Sequence, residues 1–502
     1  MIKKKFPLGK VISLVVSLAV GVACSTDMVR LSPYDKEALS AQSSVQVECL
    51  DGKTIEVNKP AMTEDEIRGI GEKGQPLRIP RDSIRSVFFK KQNSTIGILY
   101  GGLLIVEAAL AIGASTAPAP PPTKCCPLVY SGEDGRWILE AEPYGGAIAR
   151  GLKRTEWIPL EHLKAADGIY RLRVANELDE VEHTDELKIV SFDHEAGVRI
   201  LPDASGRFWP VRRPQPPRLA SDGEGRDVAP LLATRDGRFW ECGGPTSLDE
   251  SAPLRERLVL EFDKPAGAKT ALLVADAWTT FPGSRSAEAL LENLGGEAEA
   301  FKAEIDAHGP AYGKILNWFA REEMYLLKVW VETSRGWRQK SVLYGGGPCV
   351  AKEKAYLLDI SDVEGETLRI RLDPPAGFWR FDAMGVDYSG GGPVSGREIQ
   401  ASSARDGGGR DVRDLLARTD DAFMDLPRVG DAVELIFPAP PLPPGRERSL
   451  LLKASGYYDI NLTARGEARR EEVEKILSEP GYAVRLARKT FAGRKAADSH
   501  AR

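Results

Sequence analysis

An internal repeat constrains the fold of this chain more than any other sequence feature. The segment Asp222–Leu232 (DGEGRDVAPLL) is identical to Asp406–Leu416 (DGGGRDVRDLL) at eight of eleven positions, at an offset of 184 residues. Solenoid repeats have periods of roughly 20–50 residues, so this offset predicts two copies of a whole domain. Similar segments flank the copies: Glu186–Ile189 and Thr367–Ile370, Leu258–Phe262 and Ala432–Phe437, Leu272–Val274 and Leu450–Leu452.

The predicted fold is mainly β. The chain has 502 residues with 49 glycines and 34 prolines, and short alternating strands between such turn formers are typical of β-sandwiches. We therefore predict two tandem, jelly-roll-like β-sandwich modules over residues 125–285 and 325–464. Helical periodicity over residues 286–324 predicts a helical insertion between them, and residues 465–502 predict a helical, basic tail.

A smaller β unit is predicted ahead of the repeat, over residues 45–92. Val45–Leu50 alternates apolar and polar residues, and Thr54–Val57 does so after the strong turn signal Asp51-Gly52. This pattern predicts a hairpin. The hairpin and the later strand patterns together predict a small antiparallel unit.

An apolar segment at 94–116 predicts one hydrophobic helix, and the Pro-rich residues 117–124 predict a linker after it. Gly97 and Gly101 form a GxxxG pair, which would let two helices approach closely. Two interpretations stay open for this helix. In the first, the helix packs on itself, on copies of itself or along a membrane surface. In the second, it spans a membrane.

The first 24 residues have the pattern of an export signal. Lysines precede the uncharged run Val11–Ala23, and Cys24 follows this run directly. The run is too short for a comfortable membrane span and fits the apolar region of a signal peptide. We predict a signal peptide at 1–23 and a tether at 24–44. The alternatives are an ordinary signal peptide, in which Cys24 has no special role, or an uncleaved membrane anchor.

The small residues before Cys24 resemble the lipobox of bacterial lipoproteins, a resemblance that covers only this leader. It implies that Cys24 becomes the lipidated N-terminus and anchors the chain to a membrane. Ser25 follows Cys24, which by resemblance to Gram-negative lipoproteins implies the cell envelope, at the outer membrane or the periplasmic face.

The charge balance argues against a nucleic-acid partner. The chain has 68 Lys and Arg against 73 Asp and Glu, for a net charge of −5. Removing residues 1–23 takes away four lysines and no acid, which makes the net charge −9. A basic surface is the usual mark of nucleic-acid binding.

Three tryptophans, each preceded by phenylalanine, are candidate ligand-binding residues: Trp209, Trp240 and Trp379. An exposed tryptophan on a β-sandwich can stack on a sugar. The alternative is that these rings fill the sandwich core.

Other motifs give no defined chemistry. The DGxGRD segments are either calcium loops or glycine turns in which Asp227 and Asp411 cap short helices. His162, His183 and His194 lie near acidic residues at no familiar metal-ligand spacing. A disulfide between Cys242 and Cys349 is conceivable. We predict no cofactor, no metal and no catalytic residue.

The leading functional hypothesis is a non-enzymatic binding or scaffold role for a lipid-anchored envelope protein, with a protein or glycan ligand. One alternative is an envelope hydrolase, such as a glycosidase with two carboxylates. The other is a membrane-embedded, oligomeric assembly component that self-associates through Gly97 and Gly101.

Overall fold

A computed structural model describes most of the chain. The described residues are 26–31, 39–40, 42–49, 53–63, 66–71, 74–80, 83–92, 127–133, 136–243, 252–462 and 466–490. The predictions for the leader, Cys24, the 94–116 helix with Gly97 and Gly101, and the 117–124 linker lie outside them. Within the described residues, no helix is both long and apolar enough to cross a membrane. The chain divides into two compact units, Met1–Pro121 and Pro122–Arg502.

The first unit contains one six-stranded antiparallel sheet, which agrees with the predicted β unit. Alternate valines and isoleucines, such as Val45, Val47 and Val57, are buried. One strand, β1, comes from the stretch predicted as a tether. Sheet 1 has the spatial order β1 (Thr26–Leu31), β6 (Ile84–Gln92), β2 (Ser44–Cys49), β3 (Thr54–Met62), β4 (Glu66–Ile70), β5 (Pro76–Pro80).

The second unit is also mainly β and contains four antiparallel sheets of four or five strands each, besides a two-stranded hairpin. Sheet 2 has the order β24 (Ser403–Asp406), β26 (Ala432–Pro438), β10 (Ile169–Ala175), β7 (Leu128–Glu133), β8 (Arg136–Ala141). Sheet 3 has the order β23 (Arg397–Ile399), β11 (Glu180–His194), β27 (Glu447–Ile460), β9 (Arg154–Pro159), with β25 (Met424–Leu426) also paired to β11.

Sheets 4 and 5 repeat sheets 2 and 3 strand by strand. Sheet 4 has the order β14 (Leu219–Asp222), β16 (Leu258–Asp263), β21 (Thr367–Leu372), β18 (Leu326–Thr333), β19 (Gly336–Tyr344). Sheet 5 has the order β15 (Trp240–Glu241), β22 (Trp379–Asp387), β17 (Thr270–Thr279), β20 (Lys352–Asp359). β23 has no counterpart in sheet 5, and β12 (Arg199–Pro202) and β13 (Phe208–Val211) form a separate hairpin.

The two sequence repeats exchange halves in this arrangement. Sheets 2 and 3 combine strands of residues 128–194 with strands of residues 397–460, and sheets 4 and 5 combine 219–279 with 326–387. Each predicted module therefore gives its first half to one pair of sheets and its second half to the other. The tandem arrangement of 125–285 and 325–464 as separate modules is not confirmed, because strands of both segments pair within the same sheets.

The exchange also corrects one flank of the repeat. Glu186–Ile189 lies in β11, whereas Thr367–Ile370 lies in β21, and these strands hold different places in their sheets. Leu172 of β10 pairs with Leu435, and Ile370 of β21 pairs with Leu260. The structural counterpart of β21 is therefore β10, whose Tyr-Arg-Leu-Arg-Val has the same alternation as Leu-Arg-Ile-Arg-Leu.

Helices fill the predicted insertion and part of the tail. Thr280 caps the first helix of the insertion, where its side chain accepts a hydrogen bond from the Gly283 N–H. Leu290, Ile315 and Trp318 bury the apolar faces of the insertion in the main core. The helices are α1 (Ala229–Leu232), α2 (Phe281–Leu294), α3 (Ala298–Asp306), α4 (Pro310–Glu322) and α5 (Arg470–Ser478), and residues 482–490 are also helical.

Candidate functional site

The three tryptophans predicted to bind a ligand are core residues. Trp209 is 4% exposed, Trp240 5% and Trp379 0%, so none presents a ring face to solvent. The Trp209 Nε1–H donates to Asp203 Oδ2 at 3.1 Å, and the Trp379 Nε1–H donates to the Glu323 carbonyl at 2.8 Å. The prediction of exposed, sugar-stacking rings is therefore wrong for these residues, because alternate positions of their strands face the core.

Two other tryptophans lie on the outer face of sheet 4. In β18 and β21 every second residue is buried, which leaves Trp330, Arg369 and Arg371 on the opposite face. Trp337 of β19 extends over the same face. We call these four side chains the Trp–Arg face.

Cation–π contacts order the Trp–Arg face. The Arg371 guanidinium carbon lies 4.8 Å from the ring centroid of Trp337 and 5.5 Å from that of Trp330. Arg369 lies 5.7 Å from the centroid of Trp337. Such contacts contribute about 0.5–1 kcal/mol each at exposed sites. The four side chains therefore hold one another in place on a surface that is half-buried rather than covered.

Carboxylates balance the charge of this face. Arg369 donates to Glu332 at 2.6 Å and to Glu261 at 3.0 Å, and Arg371 lies 2.9 Å from Asp373. The hydrogen bond that Arg369 donates to Glu332 raises the pKa of the Arg369 guanidinium above its ordinary value. The face thus offers rigid aromatic and guanidinium groups with mixed charges around them.

The equivalent face of sheet 2 has similar residue types but differs at one position. Arg171 and Arg173 of β10 correspond to Arg369 and Arg371, and Trp137 of β8 corresponds to Trp337. Tyr130, the counterpart of Trp330, is 0% exposed, in a cluster against which Cys349 packs. Trp137 is half-buried like Trp337 and Arg171 is exposed, so the two faces differ in the burial of Tyr130 against the partial exposure of Trp330.

Sequence reasoning missed the Trp–Arg face, although a signal for it was present. Arg-x-Arg occurs at 171–173 and 369–371, at an offset of 198, and Trp137 and Trp337 lie 200 residues apart. The Phe-Trp pairs, by contrast, place their tryptophans at buried positions.

The DGxGRD segments are turns. Asp222 Oδ1 accepts hydrogen bonds from the Glu224 and Arg226 N–H groups, and its Oδ2 accepts one from Arg226 Nε. Asp406 accepts the equivalent three bonds in the second copy. These donors occupy the carboxylate oxygens that a calcium ion would need. Among the described residues, no group of three or more His, Cys, Asp or Glu side chains could hold a metal ion.

The predicted helix N-cap residues, Asp227 and Asp411, each lie one position before the observed N-cap residue. The N-cap of α1 is Val228 rather than Asp227, whose Oδ1 accepts a hydrogen bond from the Ala229 N–H at 3.0 Å. The conceivable disulfide between Cys242 and Cys349 is not formed, since Cys242 is a free, fully buried thiol. Burial raises the pKa of that thiol to about 12, which makes it unreactive.

The three histidines do not form one site. His162 pairs with Glu140, and the His194 ring bonds to Ser449. His183 lies between two carboxylates, with Asp425 at 2.8 Å from Nδ1 and Asp459 at 3.3 Å from Nε2.

His183 also stacks on Tyr457, with 4.4 Å between the ring centroids. Although burial opposes protonation, Asp425 and Asp459 raise the pKa of His183 to about 9. The imidazolium is therefore a permanent cation at neutral pH, which suits a structural role better than proton transfer.

The free energy of unfolding should fall as pH rises from about 6.5 to 9. The pKa of His183 is about 9 in the folded chain and about 6.5 in an unfolded one. The stabilisation that protonated His183 gives the folded chain is complete below about pH 6.5 and is lost as the pH rises past the folded pKa. It amounts to at most about 3 kcal/mol. Urea unfolding at several pH values measures this dependence. In His183→Gln, the slope of the free energy of unfolding against pH should be flatter than in wild type. An equal slope in that variant would contradict the assignment, and His194→Gln is the control.

The two copies of a second duplicated motif come together near the contact between β9 and β20. Tyr-Gly-Gly occurs at 144–146 and again at 344–346. A Cβ atom on Gly145 would lie 2.6 Å from the Gly347 nitrogen, so the two loops touch through glycine. Beside them, Lys352 Nζ lies 2.7 Å from Glu156 Oε2. The pair has almost no exposure and holds strands of the two sheet pairs together.

Comparisons with known proteins give no family. No family model matches the chain, and no curated protein matches it. The crystal structure of the GH31 alpha-xylosidase from Xanthomonas citri aligns with 78% of this chain at 8% identity and a TM-score of 0.14. The chain spans about a third of that enzyme's length, 32%.

Proposed function

We propose that this chain is a lipid-anchored envelope protein that binds a protein partner through the Trp–Arg face of sheet 4. The observation that carries the proposal is the difference between two equivalent surfaces. The chain buries Tyr130 completely on sheet 2 and leaves its counterpart Trp330 half-exposed beside Trp337 on sheet 4.

The chemistry of the face favours a protein over a glycan. Sugars stack on free ring faces, whereas guanidinium groups already lie over the rings of Trp330 and Trp337. Trp and Arg are enriched among the residues that dominate protein–protein affinity. The cation–π contacts and ion pairs also restrict these side chains before binding, which lowers the entropy cost of forming a complex. The mixed charges fit a partner surface with both signs.

The anchor places this surface at a membrane. Residues 1–23 have the pattern of a signal peptide, and Cys24 would carry the acyl chains. Acyl labelling and fractionation of wild type and Cys24→Ala test this part. Loss of label and of membrane association is expected in the variant. Unchanged association would reject the anchor without affecting the Trp–Arg face.

The sandwich architecture is proposed in a changed form. Sheets 2 and 3 would stack as one sandwich and sheets 4 and 5 as the other, each closed by halves of both repeats. Buried residues from all four sheets, such as Leu172, Leu452, Ile370 and Leu273, belong to one core cluster, which supports this arrangement.

Site-specific photo-crosslinking in cells tests the binding proposal. A photoreactive residue replaces the exposed Gln339, next to Trp337 on β19, and the control position is Leu219 at the far edge of the same sheet. One discrete adduct is expected from position 339 only. Trp337→Ala should reduce it at least tenfold, and Trp137→Ala at the equivalent position of sheet 2 should not. The protein found in the adduct, once identified and purified, should bind the wild-type chain. Trp337→Ala should weaken this binding at least tenfold, and Trp137→Ala should not.

Two results would overturn the proposal. One is the same adducts from positions 339 and 219, unaffected by Trp337→Ala. The other is sedimentation of the chain with purified envelope polysaccharide that Trp337→Ala abolishes, which would make the ligand a glycan. Thermal melting of each variant shows whether it is folded.

A further inference from the structure

The last residue of β26 and the connection from it to β27 contain five prolines in seven residues, Pro438–Pro444 (PAPPLPP). We call this segment the proline loop. Proline fixes its own φ near −65°, and the residue before a proline is pushed to extended backbone. Ala439, Pro440, Leu442 and Pro443 each precede a proline. Most of the loop is therefore confined to the polyproline II conformation before it meets any partner.

Hydrogen bonds fix both ends of the proline loop. At its start, the Ala439 N–H donates to the Gly168 carbonyl at 2.8 Å. Arg448 donates to the Pro440 carbonyl at 2.6 Å and to the Pro441 carbonyl at 3.2 Å. At its end, the Arg446 N–H donates to the Pro443 carbonyl at 3.2 Å, with Gly445 at a φ of +74°.

Arg448 is itself held in position. Its guanidinium donates to both oxygens of Asp193, at 2.5 and 2.9 Å. This hydrogen-bonded pair raises the pKa of Arg448 above its ordinary value. The base of the loop is thus clamped by a bidentate ion pair, the strong form of such contacts.

The middle of the loop faces solvent. Residues 441–447 are all exposed, and Leu442 keeps 48% of its surface accessible. An exposed leucine on a rigid backbone offers an apolar anchor without a folding cost.

The equivalent connection shows that the prolines are not needed to join the strands. β16 and β17 are joined by Lys264–Lys269 (KPAGAK), which has one proline. The same turn is therefore made in the second sheet pair without a polyproline segment.

We propose that the proline loop is a docking site for a protein module with an aromatic-lined groove that reads polyproline II. Such grooves exploit a segment that is already extended and loses little entropy on binding. Leu442 enters the groove between the prolines. Arg446, exposed beyond Pro444, pairs with an acidic residue at the end of the groove. This inference is independent of the Trp–Arg face.

Titration with isolated SH3, WW and EVH1 modules as probes tests the proposal. The full-length chain in detergent is added to each module, and the tryptophan fluorescence of the module's groove is followed. At least one module should bind wild type saturably, with binding at least tenfold weaker in Leu442→Ala and in Pro441→Ala.

Val429→Ala is the matched control, since Val429 is an apolar residue outside the loop that is 47% exposed. It should bind like wild type, as should Trp337→Ala, which separates this result from the proposed function. Binding by none of the modules, or binding that Leu442→Ala leaves unchanged, would overturn the proposal. Equal melting temperatures show that the loop variants are folded.

Discussion

Replacing Lys352 with Met is expected to lower the free energy of unfolding by about 3–5 kcal/mol, the usual result of removing one partner of a buried ion pair. Lys352 is 1% exposed and Glu156 6%. Burial alone would raise the pKa of Glu156, but Lys352 and Arg154 lower it well below its ordinary value. The substitution leaves a buried carboxylate without its nearest cation, at the contact between β9 and β20.

Urea unfolding measures this effect, and an exposed pair provides the control. Lys475 and Glu471 form an ion pair on α5 with side-chain exposures of 37% and 86%. Lys475→Met should cost less than about 1 kcal/mol, as is typical of surface pairs. Equal small effects of the two substitutions would show that the junction does not depend on the Lys352–Glu156 pair.

Trp379→Ala is expected to cost about 3–5 kcal/mol, the range for truncating a buried aromatic side chain. The ring is fully buried, stacks on Phe381 with 6.0 Å between centroids, and bonds to the Glu323 carbonyl. Removal leaves a cavity and a buried carbonyl without its donor.

Trp337→Ala should have a much smaller effect on unfolding, about 1 kcal/mol, because it mainly removes half-exposed cation–π contacts. Denaturant titration of both variants checks the contrast. Equal, small costs of the two substitutions would show that the Trp379 ring does not hold the core together.

The mainly β architecture could be predicted from the sequence, but the pairing of strands could not. The repeat reveals which strands are equivalent, such as β14 and β24. It does not reveal whether β10 pairs with β16 or with β26. Both choices bury the same apolar residues, because the two copies alternate in the same way. The difference lies in contacts such as Glu156 with Lys352, which join residues far apart in the chain.

The candidate site was missed for a related reason. A strand buries alternate residues, so the sequence around Trp209 or Trp379 does not say which face is covered until the neighbouring strands are known. Trp330 is half-exposed, whereas its counterpart Tyr130 is buried in a cluster against which Cys349, more than 200 residues away in sequence, packs. The charge of His183 likewise depends on Asp425 and Asp459, more than 240 residues away in sequence.

Disulfide trapping tests the exchange of halves most directly. Arg171 of β10 pairs with Ile436 of β26, and antiparallel partners have Cα atoms about 4.5–5.5 Å apart, within disulfide range. The residue equivalent to Ile436 in the other copy is Glu261, which pairs with Arg369 instead. Arg171→Cys with Ile436→Cys should oxidise to an intramolecular bond found by peptide mapping, whereas Arg171→Cys with Glu261→Cys should not. The reverse result would show that each repeat folds on itself.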